Sequence, residues 1–274
     1  MNITIGKRRH SPSFNEHIRK HFFHLPLKND QAVVAIAGNP NVGKSTLFNA
    51  LTGLRQHTGN WPGKTVDRAQ GAFLFREKSF LLVDLPGTYS LLAHSAEEEI
   101  ARDFICFGQP DAMLVILDAT ALERSLNLAL QIMEITSRMV VCVNLMDEAG
   151  KKGITVNIPL LEKDLGVPVI PTTARNGKGL KEVQTALYEI AVQQRPTAPK
   201  QVRYSAEIEG LIQELLPRLQ TLPAASFFNS KWLALRLLDS HPPFVENISR
   251  FVRLQNAPTA TYQEVEKLHA YRLE

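Results

Sequence analysis

The sequence predicts an α/β fold: a mostly parallel sheet of six to seven strands flanked by helices, followed by a small all-α helical domain. Over residues 31–195 short apolar runs alternate with helical patterns, which is typical of a parallel sheet. A glycine-rich loop at residues 38–45 lies between one apolar run and a helical pattern. From about residue 203 the strand pattern ends and apolar residues recur at helical spacing.

The individual elements follow from the same patterns. Strands are predicted near 33–37, 70–75, 79–84, 112–117, 139–143 and 167–171, and helices over 44–53, 96–107, 121–137, 158–165 and 179–193. Residues 76–78 can turn the second strand into the third, which would give one antiparallel pair in an otherwise parallel sheet. Residues 195–202 contain two prolines and favour a linker, so the domains are predicted at 31–195 and 203–274.

The first 30 residues form a basic, His-rich N-terminal extension. Residues 1–30 hold six Lys/Arg and two acidic residues, which accounts for the whole net charge of +4. The rest of the chain is balanced, so the charge gives no reason to expect a nucleic-acid partner. His17, His21 and His24 fall on one face of a predicted helix. This helix can bind a metal or a membrane surface, or it can be a solvated helix without a ligand.

The bulk composition is that of a globular protein, with 44% apolar and 21% charged residues. The sequence contains no apolar run of the roughly 18 residues that a membrane span needs, and it starts with no recognisable cleavable signal peptide. Cys106 and Cys142 lie far apart in apolar segments. We expect both to be small core residues in a reducing compartment rather than a disulfide or metal pair.

Residues 38–45 match the phosphate-binding loop pattern G-x-x-x-x-G-K-S. In such a loop the backbone N–H groups, together with those of the following helix, point at phosphate oxygens. Lys44 would place its charge on the β- and γ-phosphates, and the Ser45 hydroxyl can ligate Mg²⁺. The loop residues predicted to contact the nucleotide are Gly38, Asn39, Asn41, Val42, Gly43, Lys44, Ser45 and Thr46.

The pattern D-x-x-G occurs at 84–87 and again at 147–150. Only the first lies at the C-terminal end of a predicted strand that follows the phosphate loop, so position separates the two. Asp84 is predicted to hold Mg²⁺, usually through a water molecule, and the Gly87 N–H to reach the γ-phosphate. The alternative is a Pro-Gly turn without a ligand.

The pattern N-x-x-D occurs at 144–147, after the fifth predicted strand. The Asp147 carboxylate can accept hydrogen bonds from guanine N1–H and the exocyclic amine, whereas adenine offers neither donor in that geometry. Asn144 can bond N7 and tie the base loop to the phosphate loop. After the sixth strand, Thr173 and Ala174 resemble the short loop whose backbone N–H, that of Ala174, meets guanine O6. The alternative for Asn144 and Asp147 is a helix cap.

A polar loop rich in Gly and Pro is predicted between the first helix and the second strand, over residues 55–66. This is where a switch loop closes over Mg²⁺ and the γ-phosphate, and Thr65 is the best candidate for its Mg²⁺ ligand. The alternative is a long surface loop with one buried tryptophan.

Thr88 follows Gly87 at the position where many GTPases carry a glutamine that orients the attacking water. Intrinsic hydrolysis is therefore expected to be slow, or assisted by another group. Asn41 offers a side-chain carbonyl that can hold K⁺ against the α- and γ-phosphates. The alternative is an asparagine that caps the loop. The predicted catalytic set is Lys44, Thr65, Gly87 and Asn41.

Together the motifs predict a Ras-like P-loop GTPase fold, and the segments around them resemble the cytosolic GTPase region of FeoB-type bacterial ferrous iron transporters. The resemblance is carried by residues 38–49, by G-N-W-P-G at 59–63 followed by Thr65, and by D-L-P-G-T-Y-S-L at 84–91. Shorter similar segments are residues 98–103, 122–126, 152–154 and 165–169. The resemblance covers about 32–195 strongly and 203–270 loosely.

The resemblance implies a protein that binds GTP and GDP with Mg²⁺, whose hydrolysis is stimulated by K⁺ held by Asn41. It also implies a C-terminal membrane domain that carries Fe²⁺, and a location on the cytoplasmic face of the bacterial inner membrane. Homo-oligomerisation is left open. Two other hypotheses remain: a free-standing K⁺-dependent GTPase of ribosome or tRNA maturation, and a nucleotide-gated interaction module without enzyme activity. The first would need a basic RNA-binding domain, and residues 196–274 show no basic stripe.

Overall fold

The computed structural model describes residues 12–53, 56–92, 95–221, 228–239 and Ile248. Contacts between residues divide the chain into two compact units. One unit is residues 27–202, and the other combines the described residues up to Pro26 with those from Arg203 onward.

Seven strands in the first unit form one sheet, in the order β2-β3-β4-β1-β5-β6-β7. The strands are β1 Ala32–Gly38, β2 Gln56–Asn60, β3 Asp67–Phe75, β4 Lys78–Asp84, β5 Ala112–Asp118, β6 Met139–Asn144 and β7 Val169–Pro171. β1 pairs in parallel with β4 and β5, and the parallel pairing continues through β6 to β7. The carboxyl ends of these strands therefore meet at one edge, where ligands bind in open α/β sheets.

The predicted antiparallel pair is confirmed, because β3 pairs with β4 in antiparallel register from Ala69–Asp84 to Phe75–Lys78. The two-residue turn places Arg76 at φ 47° and Glu77 at φ 63°. Positive φ at both central residues matches the right-handed twist of the flanking strands.

The prediction that residues 55–66 form only a loop is wrong at its start, because Gln56–Asn60 is strand β2 at the edge of the sheet. Its side chains from His57 to Asn60 are polar or absent and exposed, so no apolar alternation marks it. The strand forms because β3 supplies its hydrogen-bond partners in antiparallel register.

The helices of the first unit agree with the predicted ranges to within a few residues, apart from one that was missed. They are α2 Lys44–Thr52, α3 Ala96–Asp103, α4 Leu122–Ile135, α5 Met146–Lys151, α6 Ile158–Leu165 and α7 Leu180–Ala191. After α3 the chain continues as a π-helical turn, Phe104–Gly108. The missed helix is α5, which is short and contains a glycine.

The core lies on the sheet and its covering helices. β1 is buried along its whole length, as expected for a central parallel strand with both faces covered. Val34 and Ile36 of β1 belong to one apolar cluster with Leu47 and Phe48 of α2 and Leu187 of α7. α4 packs against β1 and β5. Cys106 and Cys142 are both buried free thiols, as predicted.

The second unit contains α1 Pro12–His17, which continues as a π-helical turn Ile18–Phe22, together with α8 Ala206–Gln220 and α9 Ser230–Leu238. The helical turns end at Phe22, so His24 lies outside the predicted histidine face, while the rings of His17 and His21 are 4.3 Å apart. Of the apolar residues that recur at helical spacing in α8, Ile212 is buried but Leu211 is exposed. Val245, Ile248 and Val252, which recur at helical spacing in the sequence, lie outside the described residues apart from Ile248.

The helices of the described ranges include none with both the length and the apolar character needed to cross a membrane.

Candidate nucleotide-binding site

The phosphate loop leads from β1 into α2 as predicted. Asn41 has φ 67° and Gly43 φ 85°, so the loop turns twice through left-handed backbone. α2 begins at Lys44, and its first amides have no partner inside the helix. These amides, at the positive end of the helix dipole, form a ready anion-binding site. Ser45 and Thr46 are exposed in this first turn.

Gly43 also lies where the two ends of the site meet. A Cβ atom at this position would lie 2.3 Å from Nδ2 of Asn144, and its φ is one that L side chains rarely adopt. The glycine is therefore required twice, once for the turn and once for the approach of Asn144.

Asn144 joins three segments with its side chain alone. Its Nδ2 donates to the Val42 carbonyl at 3.0 Å, which fixes the phosphate loop. Its Oδ1 accepts from the Ala174 N–H at 3.0 Å and from the Thr172 hydroxyl at 3.1 Å. The side chain is buried, so these bonds are shielded from water. The predicted tie between base loop and phosphate loop is present in the structure.

The Ala174 amide thus has a partner inside the protein. Thr173, beside it, forms a bridge with Lys178 that closes the loop. An O6 atom of guanine would have to share or replace the bond from this amide to Asn144.

Asp147 lies in the first turn of α5, after Leu145 in the left-handed conformation at φ 61°. Its Oδ2 accepts a hydrogen bond from Nη2 of Arg175 at 3.0 Å. Arg175 is exposed, with 68% of its side chain accessible, and also lies 3.9 Å from Glu148. One oxygen of the carboxylate predicted to recognise guanine is therefore paired with an exposed, readily displaced guanidinium.

Lys44 and Asp84 form an ion pair at 2.6 Å, with 13% and 14% of their side chains exposed. Burial raises the pKa of Asp84, and the charge and hydrogen bond of Lys44 oppose that shift. The sequence predicts that Lys44 binds phosphate and that Asp84 binds Mg²⁺. In this structure the two side chains instead neutralise each other's charge.

Gly87 lies against the phosphate loop. A Cβ atom on it would contact Pro40 at 3.4 Å, and the next amide, that of Thr88, donates to the Gly38 carbonyl at 3.4 Å. Thr88 is buried and its hydroxyl donates to the Ser90 carbonyl at 2.8 Å. Gln131 of α4 accepts the Leu91 N–H at 2.7 Å and so holds the end of this segment.

The loop that carries Thr65 is anchored by Trp61 and Lys64, whereas Thr65 itself is exposed. Trp61 is buried against Phe104 with ring centroids 5.4 Å apart, and its backbone N–H donates to the Val66 carbonyl at 2.9 Å. Lys64 forms an ion pair with Glu99 of α3 at 3.0 Å. Thr65 itself is exposed, and within the described residues no hydrogen bond joins it to Ser45 or Asp84.

The side chain of Asn39, in the phosphate loop, bonds the backbone of α4. It is buried, and its Nδ2 donates to the Arg124 carbonyl at 3.3 Å, while its Oδ1 has no hydrogen-bond partner within the described residues. Its predicted contact with a nucleotide would thus come from its backbone.

The structure brings the phosphate loop, Asp84, Gly87, Asn144 and Ala174 into one connected site, with Asp147 beside it and Thr65 outside the network. Sequence reasoning missed the contribution of Arg175 and Gln131. The position of Arg175 directly after Ala174 was a usable signal for the first, but nothing in the local pattern marks Gln131.

The mixed seven-stranded sheet flanked by helices, with the phosphate loop between β1 and α2, is a Ras-like P-loop GTPase fold. The model of the family described as Ferrous iron transport protein B matches residues 32–187. The chain therefore belongs to that family.

Relatives support the same assignment. The Fe(2+) transporter FeoB of Methanocaldococcus jannaschii is 42% identical over 223 residues, which is 81% of this chain and 33% of that protein. The Fe(2+) transporter FeoB of Escherichia coli (strain K12) is 37% identical over 211 residues, 75% of this chain and 26% of that protein. The chain thus spans 26–33% of the length of these relatives.

Solved structures of the cytosolic domain of T. maritima FeoB are also similar. The GMPPNP form has a TM-score of 0.73 and 34% identity, and covers 88% of this chain and 98% of that chain. The GDP form I has the same TM-score and identity, and covers 89% of this chain and 97% of that chain.

Proposed function

We propose that this chain is the GTP-binding and GTP-hydrolysing region of a ferrous iron transport protein, and that its nucleotide state regulates or drives Fe²⁺ uptake through an attached membrane domain. The observation that carries the proposal is the side chain of Asn144, which bonds the phosphate loop and the loop of Ala174 at once. This tie fixes the spacing between the two loops that one nucleotide would span.

The phosphate oxygens would accept hydrogen bonds from the backbone N–H groups of the phosphate loop and of the first turn of α2. Lys44 would leave Asp84 and place its charge on the β- and γ-phosphates. Gly87, which lies against Pro40, would offer its N–H to the γ-phosphate. Loss of that phosphate would release the segment that Gly87 begins.

Guanine would be recognised at Asp147, where its N1–H and amine would replace the guanidinium of Arg175. The exchange is favourable because Arg175 is largely exposed and its ion pair is screened by water. The Ala174 amide would meet O6. T. maritima FeoB was solved in forms with GDP and with GMPPNP, which supports a guanine nucleotide as ligand.

The residues present fit Mg²⁺, because Ser45 and Asp84 supply the hydroxyl and carboxylate oxygens that this ion prefers. Asp84 freed from Lys44 is a largely buried carboxylate, which a cation would stabilise. Thr65 would join them when its loop closes. When bound, the ion neutralises charge on the phosphates.

Asn41 also fits a cation, K⁺, because the residue is exposed on the phosphate loop and its side chain carries an amide oxygen. A monovalent cation there would supply charge where other GTPases use an arginine. Thr88 is buried and bonded to Ser90, so it cannot orient water as a glutamine would. We therefore expect slow hydrolysis that K⁺ stimulates.

The curated relatives are named as Fe(2+) transporters, which supports a membrane domain in the same protein as partner and a place at the cytoplasmic face of the bacterial inner membrane. Family membership does not favour a free-standing GTPase of ribosome or tRNA maturation.

The proposal is tested by measuring phosphate release from GTP and from ATP, each in KCl and in NaCl at equal ionic strength. We expect turnover of GTP only, faster in KCl. Guanine binding without hydrolysis in either salt would instead indicate the interaction module. For transport, uptake of radioactive Fe²⁺ by cells that express the full-length protein should be lost with Lys44→Ala. Unchanged uptake would contradict the iron role.

A further inference from the structure

Residues 195–200, a short segment after α7 within the first unit, contact the amino ends of β6 and β7, and we call this segment the strap. The sequence predicted a linker at this place. The Thr197 hydroxyl donates to the Ser137 carbonyl, just before β6. The Ala198 N–H donates to the Gly166 carbonyl at 3.1 Å, just before β7. The strap therefore crosses the amino ends of the two strands whose carboxyl ends carry the guanine loops.

The contact with Gly166 leaves no room for a side chain. A Cβ atom on Gly166 would lie 2.2 Å from the carbonyl oxygen of Ala198, and its φ of +72° is unfavourable for other residues. A second backbone bond, from the Lys200 N–H to the Leu165 carbonyl at 3.0 Å, holds the strap beside it.

One carboxylate joins the strap to β7. Oε1 of Glu162 accepts from Nη2 of Arg195 at 2.9 Å, and Oε2 accepts from the N–H of Val169, the first residue of β7, at 3.1 Å. Arg195 also lies 3.8 Å from the carboxylate of Glu189 on α7. Glu162 thus fixes the start of the strand that ends at the loop of Thr173 and Ala174.

β7 depends on such support. It has three residues and lies at the edge of the sheet, with β6 as its one neighbouring strand in the sheet order. A strand this short is held by few ladder bonds, so contacts outside the sheet contribute much of its placement. A small displacement of β7 would move the Ala174 amide, and hydrogen bonds weaken steeply with distance and angle.

We infer that the strap positions the loop of Thr173 and Ala174. Gly166, Glu162 and Arg195 are positioning residues that slow GDP release without touching the nucleotide. This inference rests on the proposed function. It predicts that strap variants raise the GDP dissociation rate while the association rate changes little, because phosphate capture does not involve β7. It also predicts that these variants lose affinity for GDP more than for ADP, so the ratio of GDP affinity to ADP affinity falls.

The first test is Gly166→Ala against Gly153→Ala, measured by stopped-flow release of a fluorescent GDP analogue. Both glycines have φ near +70°, but nothing lies within 4 Å of a Cβ atom at Gly153. The control therefore carries the backbone strain without the clash. We expect release to be on the order of tenfold faster in Gly166→Ala and close to wild type in the control. Equal rates in both variants would overturn the inference.

The second test avoids backbone strain. Glu162→Ala should speed GDP release severalfold, and Arg195→Ala should do so less, because its ion pair is partly exposed. If Arg195 acts through Glu162, the double variant should release GDP no faster than Glu162→Ala alone. Lys200→Ala is the control, since its exposed ion pair with Asp164 is lost while the strap N–H remains. Additive effects would contradict a role of Arg195 through Glu162, and an unchanged ratio of GDP to ADP affinity in Glu162→Ala would overturn the inference.

Failure of this inference is distinguishable from failure of the proposed function. If the wild type prefers GDP to ADP and the strap variants release GDP at the wild-type rate, the inference about the strap is wrong and the proposed function stands. A wild-type protein without any preference would overturn the proposed function itself.

Discussion

The candidate site has a guanine end, formed by Asn144, Asp147 and Ala174, and a switch end, formed by the loop that carries Thr65. The two ends are built differently. At the guanine end, Asn144 is buried and already bonded to Val42, Thr172 and Ala174. At the switch end, Thr65 is exposed on a loop anchored by Trp61. The difference teaches that the tie between the loops assigned to guanine is already present in the fold, whereas the groups proposed to hold Mg²⁺ and the γ-phosphate are not yet together.

The largest effect is expected at Gly43, where the two ends meet. Gly43→Ala would force a Cβ atom against Nδ2 of Asn144 and would break the tie between the loops. We expect GTP and GDP affinity to fall by about hundredfold or more, measured by titration of a fluorescent nucleotide. Gly153→Ala, which adds strain at an open position, is the control and should bind normally.

Asn144→Ala tests whether the guanine end is preformed. Because its hydrogen bonds exist without a nucleotide, their loss should lower the free energy of unfolding of the nucleotide-free protein by about 2–4 kcal/mol in urea. Asn127→Ala, at an exposed position on α4, should change it by less than about 0.5 kcal/mol. Equal stability of the two variants would mean that the network forms only with the nucleotide.

Thr65→Ala should give the opposite pattern at the switch end. An exposed threonine contributes little to folding, so the free energy of unfolding should stay within about 0.5 kcal/mol of wild type. GTP turnover should fall by about tenfold or more, with GDP affinity unchanged, because only the triphosphate state uses this ligand. Thr58→Ala on β2 is the matched control. A variant that loses GDP affinity would show that Thr65 already takes part in the diphosphate state.

A smaller effect is expected at Asn41. Asn41→Gly removes the amide without strain, because the residue has φ 67°. Turnover in KCl should fall to the level in NaCl, a loss of the salt preference rather than of nucleotide binding. Retention of the preference would assign K⁺ to another group.

The smallest effect concerns Cys142, which lies behind the guanine end with its sulfur 3.0 Å from the Thr172 hydroxyl. Burial raises the pKa of this thiol to about 12. In a Cys106→Ala background, Cys142 should resist a thiol reagent at pH 8 and react once the protein is unfolded. Its contribution to stability is complete below the unfolded pKa and declines as the pH rises towards the folded value. Ready labelling of the native protein would mean that the guanine end opens.

The sequence predicted most of this site because its motifs lie at strand ends, and topology then brings them together. Asn144 was expected to tie two loops, and the structure has that bond. What the sequence did not predict are contacts that depend on tertiary pairing. Strand β2 is polar and gains its structure from β3, and the ion pair of Lys44 with Asp84 joins two groups assigned to different ligands.

The strap shows the same limit. Two prolines within residues 195–202 indicated a linker, and they do break regular structure there. The pattern carries no information on what the backbone of Ala198 contacts, because the partner is a glycine 32 residues earlier whose only sequence signal is a helix end at α6.

The central claim is that one carboxylate, that of Asp147, selects the purine. The most direct measurement is a competition titration of GTP, ATP and XTP against a fluorescent guanine nucleotide, on the wild type, on Asp147→Asn and on Asp164→Asn as a control for charge. We expect the wild type and the control to prefer GTP, and Asp147→Asn to lose GTP affinity by about ten- to a hundredfold and to gain affinity for XTP. Equal displacement by ATP and GTP, or an unchanged preference in Asp147→Asn, would contradict the account.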